Sequence, residues 1–288
     1  VVKMDASTGK KIPIKGVEFR LLDADKKPIT MTTHYPSEVV HKTFKTDENG
    51  QFTFPEKLKY GVYYLEEVNA PEGYLKGELL QFEVKEGAVW NQPLVVKYFD
   101  KNAMGKIQIK KIDAETKEKL SGAVFEIKAA KDIKTAGGTT LVAANTVVDT
   151  VTTDGNGSAA SKQLELGQYI VKEKTAPDGY VLDTTEHAVT LDDSHTSVNV
   201  AVQNQKNAIV LQKVSKNDGT VMEGVTFHIW NDDKSYDKTQ KTDSNGRITI
   251  DGVKDGTWHY QETATKDGYV LDNAVKDFTV SDGKVNDG

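Results

Sequence analysis

The chain repeats itself three times, and this repetition limits its possible folds more than any other feature. Four short signals recur in the same order at intervals of roughly 100 residues, the size of a small domain. They are a strand-like segment ending in lysine, a Gly-x-x-Phe segment, a Thr-Asp-x-Asn-Gly turn, and a Gly-x-aromatic-x-x-x-Glu segment followed by Gly-Tyr. The recurring ionisable residues are Lys3, Lys111, Lys213, Glu67, Glu173 and Glu262. The repetition predicts three tandem domains, over residues 1–104, 105–206 and 207–288.

Hydrophobic residues alternate along short segments, which indicates strands in every repeat. Ile107, Ile109 and Lys111 share one face of a period-two strand. The Asn-Gly turns are strong signals for hairpins. Short strands with regular turns and no helical periodicity predict an all-β fold of Ig-like sandwiches. By alignment with the second repeat, the third stops at Gly288 before its last strand.

Composition excludes several classes of protein. The net charge of −6 argues against nucleic-acid binding, which needs clustered cations. The absence of cysteine excludes disulfides, and no apolar run reaches the roughly 18 residues that a membrane span requires. The six histidines are scattered without metal-ligand spacing, and no nucleotide-binding or catalytic-serine motif occurs. The sequence therefore implies no metal and no cofactor.

The repeated lysine stands where the alternation of its strand calls for an inward apolar residue. A buried lysine is costly unless it is paired, and the repeated glutamate is the natural partner. A buried ion pair would satisfy this pattern. A second interpretation adds a side-chain amide from the last strand, because Asn102 and Asn204 each lie nine residues before the next repeated lysine. In the first repeat, Asp100 is a rival on the same strand face.

These motifs closely resemble the Cna protein B-type (CnaB) module of Gram-positive adhesins and sortase-assembled pilins. The last motif reads Gly61–Tyr74 and Gly167–Tyr180, and each copy contains Ala-Pro. The third repeat departs from it, because Trp258 replaces tyrosine and Ala-Pro is lost. The resemblance covers nearly the whole chain and implies prealbumin-like sandwiches.

The resemblance implies a spontaneous amide bond between the lysine and an Asn or Asp of the last strand, promoted by the glutamate. Burial would give a neutral amine and a neutral acid, and the acid would polarise the carbonyl and shuttle protons. Carried over, this gives Lys3–Asn102 with Glu67 (or Lys3–Asp100), and Lys111–Asn204 with Glu173. Lys213 and Glu262 have no evident partner. Such a reaction occurs once per molecule, so the chain is not expected to be an enzyme.

The resemblance also implies a mechanical role outside the cell, as the stalk of a cell-wall protein or pilus. Its partners would be other pilin subunits or the cell wall, joined through a sortase. Residues from Trp90 to Asn102 loosely resemble the pilin motif, which makes Lys101 a candidate linkage site. In the alternative interpretation, the chain is an adhesin that binds a host protein or glycan through Pro28–Lys45 and Lys131–Thr150.

Overall fold

A computed structural model describes residues 1–87, 92–281 and 283–286. Within these residues the chain forms strands and no helix. Trp90, part of the pilin-like motif, lies outside the described residues. No helix long and apolar enough to cross a membrane occurs in the described ranges.

The first domain contains ten strands in two sheets and a separate hairpin. The strands are β1 (Val2–Asp5), β2 (Glu18–Leu22), β3 (Pro28–Ile29), β4 (Met31–Thr33), β5 (Val39–His41), β6 (Phe44–Lys45), β7 (Gly61–Glu67), β8 (Tyr74–Leu75), β9 (Leu80–Val84) and β10 (Lys97–Asn102). One sheet has the order β1-β10-β8, and the other β3-β2-β7-β9 with β6 also on β2. Phe19 and Leu65 of the second sheet pack against Tyr98 of the first.

The second domain repeats this plan with longer strands. They are β11 (Met104–Asp113), β12 (Val124–Ala129), β13 (Ile133–Lys134), β14 (Thr140–Val142), β15 (Val147–Thr152), β16 (Ser158–Ala160), β17 (Leu164–Glu165), β18 (Gly167–Thr175), β19 (Glu186–Leu191) and β20 (Ser197–Asn204). β16, β17 and β20 all pair with β11, and the facing sheet has the order β15-β12-β18-β19. The core joins Ile109 and Val202 of one sheet to Phe125 and Val171 of the other.

The third domain has seven strands in the described residues. They are β21 (Ala208–Gln212), β22 (Thr226–Asn231), β23 (Asp237–Lys241), β24 (Arg247–Asp251), β25 (Gly256–Ala264), β26 (Val275–Ser281) and β27 (Lys284–Asn286). The large sheet has the order β23-β22-β25-β26-β27, and it faces the pair β21-β24. Ile209 and Ile248 of this pair pack against Phe227 and Trp258.

The first and last strands of the first two domains lie side by side and run parallel. β1 pairs with β10, and β11 pairs with β20 over eight residues. Parallel neighbours cannot be joined by a hairpin, so the rest of each domain forms the connection between these two strands. The two ends of each domain therefore meet in one sheet. β21 of the third domain has no such parallel partner within the described residues.

The repeated Thr-Asp-x-Asn-Gly turn positions the lysine strand. The carbonyl oxygen of the turn glycine accepts the backbone N–H of the lysine: Gly50 with Lys3 at 2.8 Å and Gly157 with Lys111 at 2.7 Å. Gly50 has a φ of +70°, and a Cβ there would lie 1.8 Å from the carbonyl oxygen of Ile12. Only glycine fits this combination of backbone angle and close approach.

Candidate functional site

In the first two domains the repeated lysine and glutamate come from opposite sheets and meet in the core. The glutamate is the cross-strand neighbour of the phenylalanine in the Gly-x-x-Phe segment. The pairs are Phe19–Glu67, Phe125–Glu173 and Phe227–Glu262. The lysine amine extends over this ring: Lys3 Nζ lies 5.4 Å from the Phe19 ring centre, and Lys111 Nζ lies 5.6 Å from that of Phe125.

The second domain holds a buried group of three polar side chains. The exposed fractions of Lys111, Glu173 and Asn204 are 0%, 2% and 2%. Lys111 Nζ lies 2.9 Å from Glu173 Oε1 and donates to Asn204 Oδ1. Asn204 Nδ2 donates to both carboxylate oxygens of Glu173, at 3.1 and 2.9 Å. The N–H of Asp183 donates to Glu173 Oε2 at 2.8 Å and so fixes the carboxylate.

This arrangement suits attack of the lysine amine on the carboxamide carbon. Burial lowers the pKa of Lys111, although the Glu173 carboxylate opposes the effect. A lower pKa enlarges the fraction of neutral amine, which is the nucleophile. Because Glu173 contacts both Lys111 Nζ and Asn204 Nδ2, it can carry a proton from the amine to the leaving nitrogen. The resemblance implied that the glutamate polarises the asparagine carbonyl. Here the carbonyl oxygen of Asn204 instead accepts from the lysine.

The first domain holds two carboxyl groups around its lysine. Lys3, Glu67 and Asp100 are fully buried. Lys3 Nζ lies 2.5 Å from Glu67 Oε1, contacts Asp100 Oδ1, and sits 4.3 Å from the centre of the Tyr98 ring. The N–H of Gly77 donates to Glu67 Oε2 at 2.8 Å, which fixes the carboxylate from the side away from the lysine.

The buried position of Asp100 changes its chemistry. Burial raises the pKa of Asp100 to about 7; Lys3 opposes this shift and Glu67 adds to it. A raised pKa enlarges the fraction of this side chain that is the uncharged acid. An amine can attack an uncharged carboxyl group, whereas a carboxylate is a poor electrophile. The Lys3–Asp100 pair therefore has the same geometry for condensation as the Lys111–Asn204 pair, and its leaving group would be water in place of ammonia.

Asn102, the expected partner of Lys3, lies elsewhere. It stands opposite Tyr74 at the end of β10, and its Nδ2 donates to Glu165 Oε2 of the second domain at 3.2 Å. The residue beside Lys3 is Asp100, the rival that the sequence left open. The expected contact between Lys3 and Asn102 is therefore wrong, and the contact in this domain is between Lys3 and Asp100.

The strand register explains this correction. β11 and β20 place Asp113, two residues after the lysine, opposite Asn204. β1 and β10 place Asp5, also two residues after the lysine, opposite Asp100. The nine-residue spacing from each asparagine to the next repeated lysine spans the connection between two domains. It therefore reports the length of that connection and does not locate the asparagine within its own sandwich.

The third domain brings together only two of the three groups. Lys213 Nζ donates to Glu262 Oε2 at 2.7 Å. The Lys213 side chain is 24% exposed, whereas its counterparts in the other domains are fully buried. No Asn or Asp of a parallel last strand reaches this pair within the described residues.

A family model describing SpaA prealbumin-like fold domains matches residues 1–93, 105–206 and 207–287. The chain belongs to this family. The predicted all-β architecture of three prealbumin-like domains is therefore confirmed.

Known proteins similar to these SpaA domains come from Gram-positive bacteria. The trypsin-resistant surface T6 protein of Streptococcus pyogenes serotype M6 is 28% identical over 118 residues, which is 41% of this chain and 20% of that protein. The chain thus corresponds to a small part of that relative's length. The Bacillus anthracis TIE protein has a TM-score of 0.57 at 24% identity, covering 97% of this chain and 47% of that one. BcpA, the major pilin subunit of Bacillus cereus, has a TM-score of 0.37 at 17% identity over 97% of this chain and 94% of its own. The TIE match supports the shared fold.

A tyrosine–aspartate contact is a further feature of the SpaA domains to which the sequence assigned no role. Tyr74 Oη donates to Asp5 Oδ2 at 3.0 Å, and Tyr180 Oη donates to Asp113 Oδ2 at 2.9 Å. Burial raises the pKa of each tyrosine to about 12, so both remain protonated donors. The contact ties the Gly-Tyr turn to the strand that carries the lysine. The sequence signal for this contact was the aspartate that lies two residues after the repeated lysine. In the third SpaA domain this aspartate is replaced by Ser215.

The remaining candidates lie on the surface of the SpaA domains. Lys101 is exposed near the end of β10, and its sortase linkage stays a prediction. The insertion Pro28–Lys45 contains the hairpin β4–β5, and Tyr35 in its loop is 91% exposed. The insertion Lys131–Thr150 contains the hairpin β13–β14 and the start of β15. An adhesive role for these insertions also stays a prediction. Within the described ranges, no group of three or more His, Asp or Glu side chains is arranged to hold a metal.

Proposed function

We propose that this chain is a structural stalk segment of a Gram-positive cell-surface protein or pilus. Two autocatalytic amide bonds, Lys3–Asp100 and Lys111–Asn204, would brace its first two domains. The observation that carries the proposal is the buried contact of the Lys111 amine with the Asn204 carboxamide, with Glu173 touching both. A plain ion pair needs only Lys111 and Glu173 and gives no reason for a third buried polar group.

Each bond forms by a balanced condensation. In the second domain, Lys111 Nζ bonds to Asn204 Cγ, the Cγ–Nδ2 bond breaks, and ammonia leaves. In the first domain, Lys3 Nζ bonds to Asp100 Cγ, a C–O bond breaks, and water leaves. The fold supplies the rate, because well-oriented groups reach effective molarities of about 10⁵ M or more. Each reaction happens once and makes the protein its own product, so the chain does not turn over a substrate.

The positions of the two bonds suit a protein that carries tension. Each bond would join the first strand of a domain to its last strand, and these are the strands through which a pull on the chain enters and leaves. Force would pass through the bond and bypass the hydrogen-bonded sandwich. The similarity to the trypsin-resistant surface T6 protein fits this role outside the cell. Its partners would then be other subunits or the cell wall, joined through a sortase.

The partner of Lys3 can be tested with a matched pair of variants. We expect the Asp100→Ala variant to lose the first-domain bond, because the electrophilic carbon is gone. The Asn102→Ala variant should keep the bond, because Asn102 contacts Glu165 and not Lys3. Intact mass spectrometry reads the result: the Asn102→Ala protein should weigh one water and one ammonia less than its sequence, and the Asp100→Ala protein one ammonia less.

A deficit of two ammonias in Asp100→Ala, with one ammonia in Asn102→Ala, would contradict the assignment, because Lys3 would then be bonded to the Asn102 carboxamide. The Asp100→Asn variant is a further control. Its cross-linked product has the same atoms as that of the parent, because the leaving group changes from water to ammonia and the amide is identical.

A further inference from the structure

The proposed cross-links make no use of the repeated Gly-Tyr pair. In the first two domains this pair lies in a turn, Gly73-Tyr74 in one and Gly179-Tyr180 in the other. The carbonyl oxygen of the turn glycine accepts a backbone N–H from the chain at the domain boundary. Ala103 donates to the first turn at 2.8 Å, and Asn207 donates to the second at 3.0 Å. Each turn therefore lies beside the next domain of the chain.

The turn of the first domain is hydrogen-bonded to two separate parts of the second domain. The N–H of Gly73 donates at 2.8 Å to Asp193 Oδ2, in the turn between β19 and β20. The Tyr74 hydroxyl accepts at 3.3 Å from the N–H of Ala136, in the loop between β13 and β14. The same hydroxyl donates to Asp5. It therefore connects the lysine strand of the first domain to a hairpin of the second.

The hairpin of β13 and β14 contacts the first domain at further points. Lys10 Nζ donates to Thr139 Oγ1 at 3.0 Å. A Cβ at Gly137 would lie 2.9 Å from the carbonyl oxygen of Lys11, well inside the separation at which packed atoms meet. Glycine permits this close approach of two backbones. The tip of the insertion Lys131–Thr150 therefore lies against the first domain.

The turn of the second domain contacts the third domain in a similar way. Asn207 is 3% exposed, and its Nδ2 donates to the carbonyl oxygen of Val253 at 2.6 Å. Its own carbonyl oxygen accepts the N–H of Gly252 at 2.8 Å. A Cβ at Gly179 would lie 2.9 Å from the carbonyl oxygen of Gly252, so these two backbones also meet. The Gly-Tyr turn thus meets the next domain at both boundaries.

We propose that the Gly-Tyr turn is a docking surface for the next domain, and that the hairpin of β13 and β14 is a strut that fixes the second domain against the first. Domains of one chain move relative to each other unless their interface restrains them. Hydrogen bonds at three separated points, Asp193, Ala136 and Thr139, restrain rotation as well as translation. The strut also gives the insertion Lys131–Thr150 a role within the chain, so the tip of this insertion is not free for a host ligand.

Distances between two spin labels test the strut directly, because the chain contains no cysteine of its own. The labels are placed by Lys57→Cys in the first domain and Lys162→Cys in the second, two exposed positions away from the contact. Double electron–electron resonance on the whole chain should give one narrow distance distribution. The Gly137→Val variant should shift or broaden this distribution, because its side chain would press on the backbone of Lys11.

The Gly155→Val variant is the matched control. It makes the same change in a loop of the same domain, at a glycine whose Cβ position has open space around it. Its distribution should equal that of the labelled parent. A broad distribution in the parent would overturn the docked joint, and an unchanged distribution in Gly137→Val would overturn the strut. Equal broadening in both glycine variants would also overturn the strut, since the contact with Lys11 would not be its cause.

The joint is independent of the proposed cross-links, because its contacts involve none of the linked side chains. The cross-links are read from mass deficits, whereas the joint is read from distances between domains. Failure of the joint and failure of the proposed function are therefore distinguishable.

Discussion

The Glu173→Ala variant is expected to unfold its second domain at a temperature roughly 20–35 °C below that of the parent. The variant should fail to form the Lys111–Asn204 bond, because the group that moves protons between amine and amide is gone. That bond would join residues 93 positions apart. A cross-link closing a loop of this length stabilises a domain by about 4–5 kcal/mol in the chain-entropy model developed for disulfides.

Differential scanning calorimetry measures this change, and two variants serve as controls. The Glu262→Ala variant also breaks a lysine–glutamate pair, but in a domain where we expect no bond within the chain. Its shift should therefore be much smaller than that of Glu173→Ala. The Asn204→Asp variant should form the same amide with loss of water and keep the parent's unfolding temperature. Equal shifts for the two glutamate variants would show that only ion pairs had been lost.

A pull on the two ends of the chain is expected to unfold the third domain and leave the first two intact. With the proposed bonds formed between the contacting pairs Lys3–Asp100 and Lys111–Asn204, residues 3–100 and 111–204 would lie between linked side chains and could not extend. The third domain, with residues 207–288, should lengthen by about 280 Å when stretched, at about 3.4 Å per residue. Single-molecule force spectroscopy should record one unfolding event per molecule.

The variant carrying both Glu67→Ala and Glu173→Ala provides the comparison for this experiment. It should show three unfolding events, two of them releasing about 330 Å each as the first two domains open. A parent molecule that already shows three events would mean that force is not carried by covalent bonds. A parent that shows no event at all would place a third bond in the last domain.

Much of the fold could be predicted from the sequence, together with all three groups of the second-domain site and, in the first domain, Lys3 and Glu67. Period-two alternation in segments such as Ile107-Ile109-Lys111 shows which side chains face inward, so it predicted both the strands and the buried lysine. The repetition of Glu173 at one place in each domain added the second group. Both signals are local, since each depends on residues that are neighbours along one strand.

The third group of the site depends on pairing between strands far apart in the chain. Asp100 and Asn102 share one face of β10, so alternation cannot separate them. The parallel register of β1 and β10 separates the two residues, because it places Asp100 two residues beyond the position opposite Lys3. Burial agrees: Asp100 is fully buried, whereas Asn102 is partly exposed at the contact with the second domain.

The orientation of the groups within each site was also beyond the sequence. The Glu173 carboxylate accepts from the amide nitrogen of Asn204, and the Asp183 N–H donates to the same carboxylate oxygen, Oε2. The tyrosine–aspartate contact between Tyr180 and Asp113 joins residues 67 positions apart. Such geometry follows from the packing of two sheets and leaves no periodic trace.

Intact mass spectrometry of the chain without substitutions, under denaturing conditions, is the most direct test of the cross-links. We expect the protein to weigh one water and one ammonia less than its sequence, with Lys3 linked to Asp100 and Lys111 linked to Asn204 in the fragment spectra. A mass equal to that of the sequence would contradict both bonds and leave three sandwiches held by buried ion pairs.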